Sequence, residues 1–191
     1  MSGTVLYRLC PVALLAFMLA GCVSAPGPQC VRLAYDGWFC LLAPAALPAH
    51  EDTSLVSVSQ NGTQKHFVGQ LSITQNKMTL ALFNLAGLPA ATLHWDGQKA
   101  TLRSPKKLAI EPKQLVALLE LSLAAPETLR RALHGLTLST AYTESGEERR
   151  LSDGSDLVAR AVMNATGVTH IEVPGMQLEI MLTPLKSNTD E

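Results

Sequence analysis

From residue 54 onward the chain alternates apolar and polar positions in short runs, each closed by residues suited to a tight turn. Leu71 and Ile73 alternate with Gln70, Ser72 and Thr74, and Leu93 and Trp95 alternate with Thr92 and His94. Near the end, Met176, Leu178, Ile180 and Leu182 alternate with Gln177, Glu179 and Thr183. A period of two places one set of side chains on one face of a strand. Between the runs fall Asn61-Gly62, Asn76-Lys77, Asp96-Gly97, Gly146, Asp153-Gly154 and Pro174-Gly175. Asn-Gly and Asp-Gly accept the positive φ angles of hairpin turns, so neighbouring runs are expected to pair antiparallel. Residues 78–83 are apolar at both parities, which predicts a central strand covered on both faces.

The middle of the chain changes period. After Glu111-Pro112, Leu115, Leu118, Leu119 and Ser122 recur at helical spacing, and Pro suits a first helical turn. A second helix is expected from Pro126, carrying Leu129, Ala132 and Leu133 and closed by Gly135. The predicted order is five strands, two helices and about five strands, without an internal repeat or second domain. That is a mainly β fold: an antiparallel, half-open barrel with two helices covering its concave face.

The N-terminus reads differently. Arg8 supplies one positive charge, and residues 9–21 are almost wholly apolar but span only about two-thirds of the ~20 residues a transmembrane helix needs. A charged start, a short apolar run and small residues describe an export signal over residues 1–21. Leu19-Ala20-Gly21-Cys22 resembles the bacterial lipobox, which implies that Cys22 carries a lipid and becomes the mature N-terminus. Val23 in the next position resembles sorting to the outer membrane, with the domain facing the periplasm. Residues 22–53 then read as a tether broken by Pro26, Pro28, Pro44 and Pro48, with residues 38–42 apolar enough to dock on the domain. The domain is expected over 54–184 and a disordered tail over 185–191.

Composition narrows the partners. Cleavage removes Arg8, taking Lys+Arg from 15 to 14 against 16 acidic residues, so the mature chain carries a charge of −2. No basic face is available to neutralise phosphates, which argues against nucleic acid. The chain is 47% hydrophobic but only 5% aromatic, so its apolar content is aliphatic and suits either a core or a pocket. Cys10 leaves with the signal and Cys22 takes lipid. Cys30 and Cys40 remain as a pair in an oxidising compartment, where a disulfide is the expected state and two buried thiols the alternative.

Catalytic signatures are missing. None of the histidines at 50, 66, 94, 134 and 170 pairs with a Glu in a metalloprotease spacing, and neither a nucleophile elbow nor a phosphate loop occurs. No metal, no cofactor and no enzymatic activity is expected. Glu147-Glu148-Arg149-Arg150 reads as a solvated hairpin. One segment departs from ordinary turn chemistry: Asn84-Leu85-Ala86-Gly87-Leu88-Pro89 places two leucines in a turn. Either Leu85 and Leu88 fold back into the core, or they form an apolar tip offered to a membrane or acyl chain.

The lipobox, the meander, the apolar turn at 85–89, the Asp96-Gly97 hairpin, the helix pair and the terminal Leu178-Glu179-Ile180 together resemble a family. It is the family of small outer-membrane lipoproteins encoded in aryl polyene biosynthesis clusters, which are distantly similar to LolB, the outer-membrane lipoprotein receptor. The resemblance spans about residues 54–184 and rests on element order and apolar pattern. It implies a LolB-like unclosed barrel with an apolar cavity, and a projecting loop whose leucine corresponds to Leu85 or Leu88. The extra Ala86 and the Leu88-Pro89 pair leave both as candidates. The pocket would be lined by Leu71, Ile73, Leu80, Leu82, Leu93, Trp95, Leu115, Leu118, Leu119, Leu178 and Ile180. Two functions follow as expectations. One is a lipid-handling module that binds an acylated or aryl polyene-type lipid and helps place it in the outer membrane, with a periplasmic carrier protein as a possible partner. The other is a structural or assembly lipoprotein with a filled core that acts through a protein partner.

Overall fold

The computed structural model describes residues 27–105, 110–144 and 146–185; the export signal, Cys22 and residues 186–191 lie outside them. β1 (Cys30–Arg32) and β2 (Trp38–Cys40) form a short hairpin. A meander follows: β3 (His50–Gln60), β4 (Thr63–Ile73), β5 (Met78–Phe83), β6 (Pro89–Trp95) and β7 (Ala100–Arg103). Helices α1 (Pro112–Leu123) and α2 (Pro126–Ala132) lead through the two-residue β8 (Leu133–His134) into a second meander. Its strands are β9 (Thr137–Thr143), β10 (Gly146–Asp153), β11 (Asp156–Met163), β12 (Thr169–Val173) and β13 (Leu178–Pro184). From β3 onward the chain adopts the expected order of five strands, two helices and about five strands, with the two-residue β8 added between the helices and the second meander.

The ten meander strands join in one antiparallel sheet, ordered β7-β6-β5-β4-β3-β13-β12-β11-β10-β9. Edge strands β7 and β9 do not pair with each other, so the sheet stays open. Turn chemistry explains the tight pairing: Asn61 and Gly62 both take positive φ, which matches the twist of the β3–β4 hairpin. At the β6–β7 turn Asp96 Oδ1 accepts the N–H groups of Lys99 at 2.7 Å and Gln98 at 2.8 Å. These two bonds, the Lys99 one foremost, hold the Asp96 carboxyl below the usual carboxylate range.

Cross-strand partners share a face, so the register defines the concave surface. One row runs Leu102, Leu93, Leu80, Leu71, Asp52; another runs Val58, Ile180, Ile171, Ala161, Arg149. Helix α1 lies against this surface and is buried through residues 115–121 without a break. A helix apolar on all sides belongs inside a protein rather than on its surface. Thus α1 fills the concavity, where the sequence suggests a cover. At its start the Gln114 side chain accepts the N–H of the N-cap residue Glu111 at 3.1 Å. Its last carbonyls are met by Arg149, whose Nη1 donates to Leu121 O at 2.9 Å and Ala124 O at 2.6 Å. Four carbonyls at a helix end lack intrahelical partners, and a buried end must satisfy them by other means.

Several expectations need correction. The 147–150 charge run is not a solvated hairpin. Arg149 points into the concave face and is buried there, also bonding Glu147 at 2.8 Å, while Glu148 holds Arg160 at 2.7 Å. Strand β5 is third from an edge, not central, and the side chains of its second face are only half-buried. Leu133 leaves the second helix and pairs with Phe39 of β2, ahead of Gly135. Strand β3 begins at His50, ahead of residue 54, and Leu185 donates its N–H to Thr53 O at 2.8 Å, so it extends the sheet and is not tail.

From residue 27 onward the segment read as a tether is part of the fold. Phe39, Leu41 and Leu47 are buried in the main core, so residues 38–42 dock as expected, and the segment around them docks as well. A Cys30–Cys40 disulfide ties the two strands of the hairpin at directly opposed positions. A cross-link closing so short a loop contributes up to about 3 kcal/mol through the unfolded state.

Candidate functional site

The residues expected to line one enclosure do gather on one side of the sheet. Leu71, Ile73, Leu80, Leu93, Trp95, Leu115, Leu118, Leu119, Leu178 and Ile180 are buried in a single cluster, with Leu82 packed against it. They do not surround one space. Helix α1 occupies the middle, and separate cavities remain around it. Leu71, Leu80 and Leu119 line a cavity of about 210 Å³, and Leu118 lines another of about 280 Å³. The other residues of the set line neither cavity. Each cavity is somewhat smaller than the ~300–1,000 Å³ of drug-sized ligand pockets.

Antiparallel pairing sends alternate turns to opposite rims of the half-barrel. The 61–62, 84–88 and 174–177 turns share one rim, and the 74–77, 96–99 and 164–168 turns share the other. The 280 Å³ cavity is bounded by Gly175 and Met176 and thus lies toward the first rim. The 210 Å³ cavity is bounded by His50, Gly167 and Pro184 and lies toward the second.

The first rim carries the apolar turn, and its leucines do not fold back. Leu85 is 69% and Leu88 62% exposed. Asn84 shapes the turn: its Oδ1 accepts the N–H groups of Ala86 at 3.0 Å and Leu88 at 2.9 Å, and its carbonyl accepts Gly87 N–H at 2.8 Å. Gly87 takes φ +78, a region that favours glycine. The second rim holds a copy of this device. Asn164 Oδ1 accepts Thr166 N–H at 3.0 Å and Val168 N–H at 2.8 Å, its carbonyl accepts Gly167 N–H at 3.0 Å, and Gly167 takes φ +84. Both turns join the third and fourth strands of a five-strand meander. The copy is built with Ala165, Thr166 and Val168, so the turn itself does not require leucines.

A second feature went unread in the sequence. Helix α1 buries Glu120 completely. Its Oε2 accepts the Leu42 N–H at 3.1 Å, and Trp95 Nε1 donates to the Leu42 carbonyl at 2.7 Å, so both backbone polar groups of one residue in the N-terminal segment are held from inside the core. Glu120 Oε1 has no partner among the described residues. Burial pushes the Glu120 carboxyl up to about 8, against a smaller downward pull from the Leu42 N–H. A neutral acid is the form such an environment favours. Other polar groups that the alternation did not reveal are His50, Asp52 and Ser54, which occupy the concave parity of β3 and line the 210 Å³ cavity. The repeated Asn-x-x-Gly spacing at 84–87 and 164–167 was the one sequence signal that pointed to the paired turns.

A family described as a protein of unknown function, DUF3261, matches residues 51–185. The chain belongs to the DUF3261 family. The matched range spans the two meanders and both helices, and it leaves out the disulfide hairpin. No curated protein matches the chain. Among the described residues, no helix is long and apolar enough to cross a membrane, and no His, Cys, Asp and Glu cluster could hold a metal ion.

Proposed function

We propose that this DUF3261 chain is an outer-membrane lipoprotein, anchored through Cys22, that takes up an acylated or aryl polyene-type lipid and helps place it in the outer membrane. The observation that carries this reading is the Leu85–Leu88 tip. Leucines in a rigid, solvated turn cost solubility without serving the fold, because the Asn164 turn achieves the same geometry with smaller side chains. Exposed large apolar groups at a projecting tip suit contact with a membrane or an acyl chain. The open sheet with apolar space on either side of α1 supports the LolB-like comparison in architecture, and a periplasmic carrier is the natural donor for such a module.

The packed middle favours a second reading. With α1 filling the concavity, the domain can act as an assembly lipoprotein whose tip contacts a protein. One experiment separates the two. Leu85→Ala with Leu88→Val converts the tip to the form of the second turn. On the lipid reading the variant melts like the parent and still binds a fluorescent monoacylglycerol, but transfers it to vesicles at least about ten-fold more slowly. A parent chain that neither binds nor transfers the lipid leaves the assembly reading.

A further inference from the structure

Three adjacent rows of the concave face change character at the same strand. Met78 and Ile73 are followed by His50; Leu93, Leu80 and Leu71 by Asp52; Leu82 and Gly69 by Ser54. Each row is apolar or glycine across β5 and β4 and turns polar on reaching β3. All three polar residues line the 210 Å³ cavity, with Ser122 and Thr169, and the rest of its lining is aliphatic side chains, glycine and proline. Asp52 Oδ2 accepts the Ser54 hydroxyl, while Asp52 Oδ1 and the His50 ring have no hydrogen-bond partner among the described residues. No described Lys or Arg forms an ion pair with Asp52, although a half-buried carboxylate beside Leu71 gains from one. Glycine at 69 lets Val56 pack closely against the backbone in this wall: a Cβ there would meet Val56 Cγ2 at 2.5 Å.

From this we propose that the 210 Å³ cavity is a headgroup-selective chain site: it takes an aliphatic chain whose head is neutral or cationic and donates hydrogen bonds, and it rejects anionic heads. The inference rests on the lipid-handling reading and adds the substrate class. The aliphatic part of the lining accepts the chain. Asp52 Oδ1 accepts a hydroxyl, amide N–H or ammonium from the head, and Ser54 fixes the other carboxylate oxygen. A carboxylate or phosphate head would sit against the Asp52 charge with no described Lys or Arg in the lining to offset it. At an effective dielectric near 20 a pair of like charges ~4 Å apart costs a few kcal/mol, and partial exposure reduces that to about ten-fold in affinity.

The test uses the chain from residue 23 onward, exported to the periplasm and purified without detergent. Dodecylammonium, monododecanoylglycerol and dodecanoate, each below its micelle concentration, compete for bound N-phenyl-1-naphthylamine. The first two are expected to displace the dye at about ten-fold lower concentration than dodecanoate. Asp52→Asn should bring dodecylammonium and dodecanoate to within about two-fold of each other without shifting Tm, since Asn keeps an oxygen for Ser54. Ser122→Phe, which fills the cavity from α1, should abolish competition by all three. Equal or tighter competition by dodecanoate in the parent chain overturns the proposal, as does an unchanged ranking in Asp52→Asn or undiminished binding in Ser122→Phe. If neither the dye nor any amphiphile binds the parent, the lipid-handling reading falls and takes this one with it.

Discussion

Replacing Glu120 by Gln removes one titrating group from the core and keeps its shape. In the folded chain the carboxyl loses its proton near pH 8, because burial opposes the charge; in the unfolded chain it does so near 4.5. Between those values the native state holds a proton that the unfolded state has released, so stability falls as pH rises. The stabilising effect of the neutral acid is complete below about 4.5 and is lost as pH climbs through 8. The slope for one proton is about 1.4 kcal/mol per pH unit, which accumulates to about 3 kcal/mol at pH 7 and about 5 kcal/mol above pH 8. Against the 5–15 kcal/mol typical of a domain, that is a large share. Gln cannot ionise, and its side-chain oxygen still accepts the Leu42 N–H. Urea denaturation at intervals from pH 5 to 9, with parent and variant compared at each pH, isolates this one group. The variant should match the parent within about 1 kcal/mol at pH 5 and exceed it by about 3 kcal/mol or more at pH 8. Parallel stability curves would refute the argument and show that Glu120 reaches water in the folded chain.

Four further outcomes can be measured. Cys22→Ser should abolish incorporation of labelled fatty acid and release the protein from the membrane fraction; retention with unchanged mass sinks the lipobox reading. Alkylation of the periplasmic protein without reductant should leave Cys30 and Cys40 unmodified, and ready labelling of both would contradict the disulfide. Arg149→Met strips Leu121 and Ala124 of their hydrogen-bond donor at the buried end of α1 and should cost about 2–4 kcal/mol in denaturation experiments; a cost under 1 kcal/mol would mean that water replaces the guanidinium. Leu85→Glu with Leu88→Glu should leave Tm almost unchanged, because solvated positions tolerate substitution within about 0.5 kcal/mol, and a drop of many degrees would show that the leucines are held in the core.

The sheet was legible because its signals are local. A period of two and a pair such as Asn61-Gly62 act over a few residues, and they fix which strands neighbour each other along the chain. The pairing of β3 with β13 joins residues far apart in sequence, and nothing in either strand marks the other as its partner. The polar members of the core were hidden for a related reason. Glu120 lies between leucines and reads as one polar position on an apolar helix; only the arrival of the Leu42 peptide from the N-terminal segment makes its burial tolerable. Arg149 sits in a run of four charged residues, where composition suggests solvent. The carbonyls that bring it inside belong to a helix end more than twenty residues earlier. Both cases obey the rule that a buried polar group must find a partner, and in both the partner was nonlocal.

The two meanders extend that lesson from residues to architecture. Shifting β7-β6-β5-β4-β3 by five positions across the sheet superimposes its order on β13-β12-β11-β10-β9. Five antiparallel steps reverse strand direction, so equivalent turns fall on opposite rims. That is why the Asn84 and Asn164 turns, alike in hydrogen bonding, face opposite ends of the half-barrel. Backbone geometry is thus held constant while the side chains differ. One end presents Leu85 and Leu88; the other presents Ala165 and Thr166 near the cavity lined by His50 and Asp52. A domain shaped by stability alone has no reason to place its exposed leucines on one copy of a turn and withhold them from the other. The asymmetry makes the molecule two-ended, with an apolar contact at one rim and a partly polar cavity toward the other. Exchanging the two turn sequences should therefore preserve Tm and invert which rim binds vesicles; vesicle binding that is indifferent to the exchange would remove the tip from the mechanism.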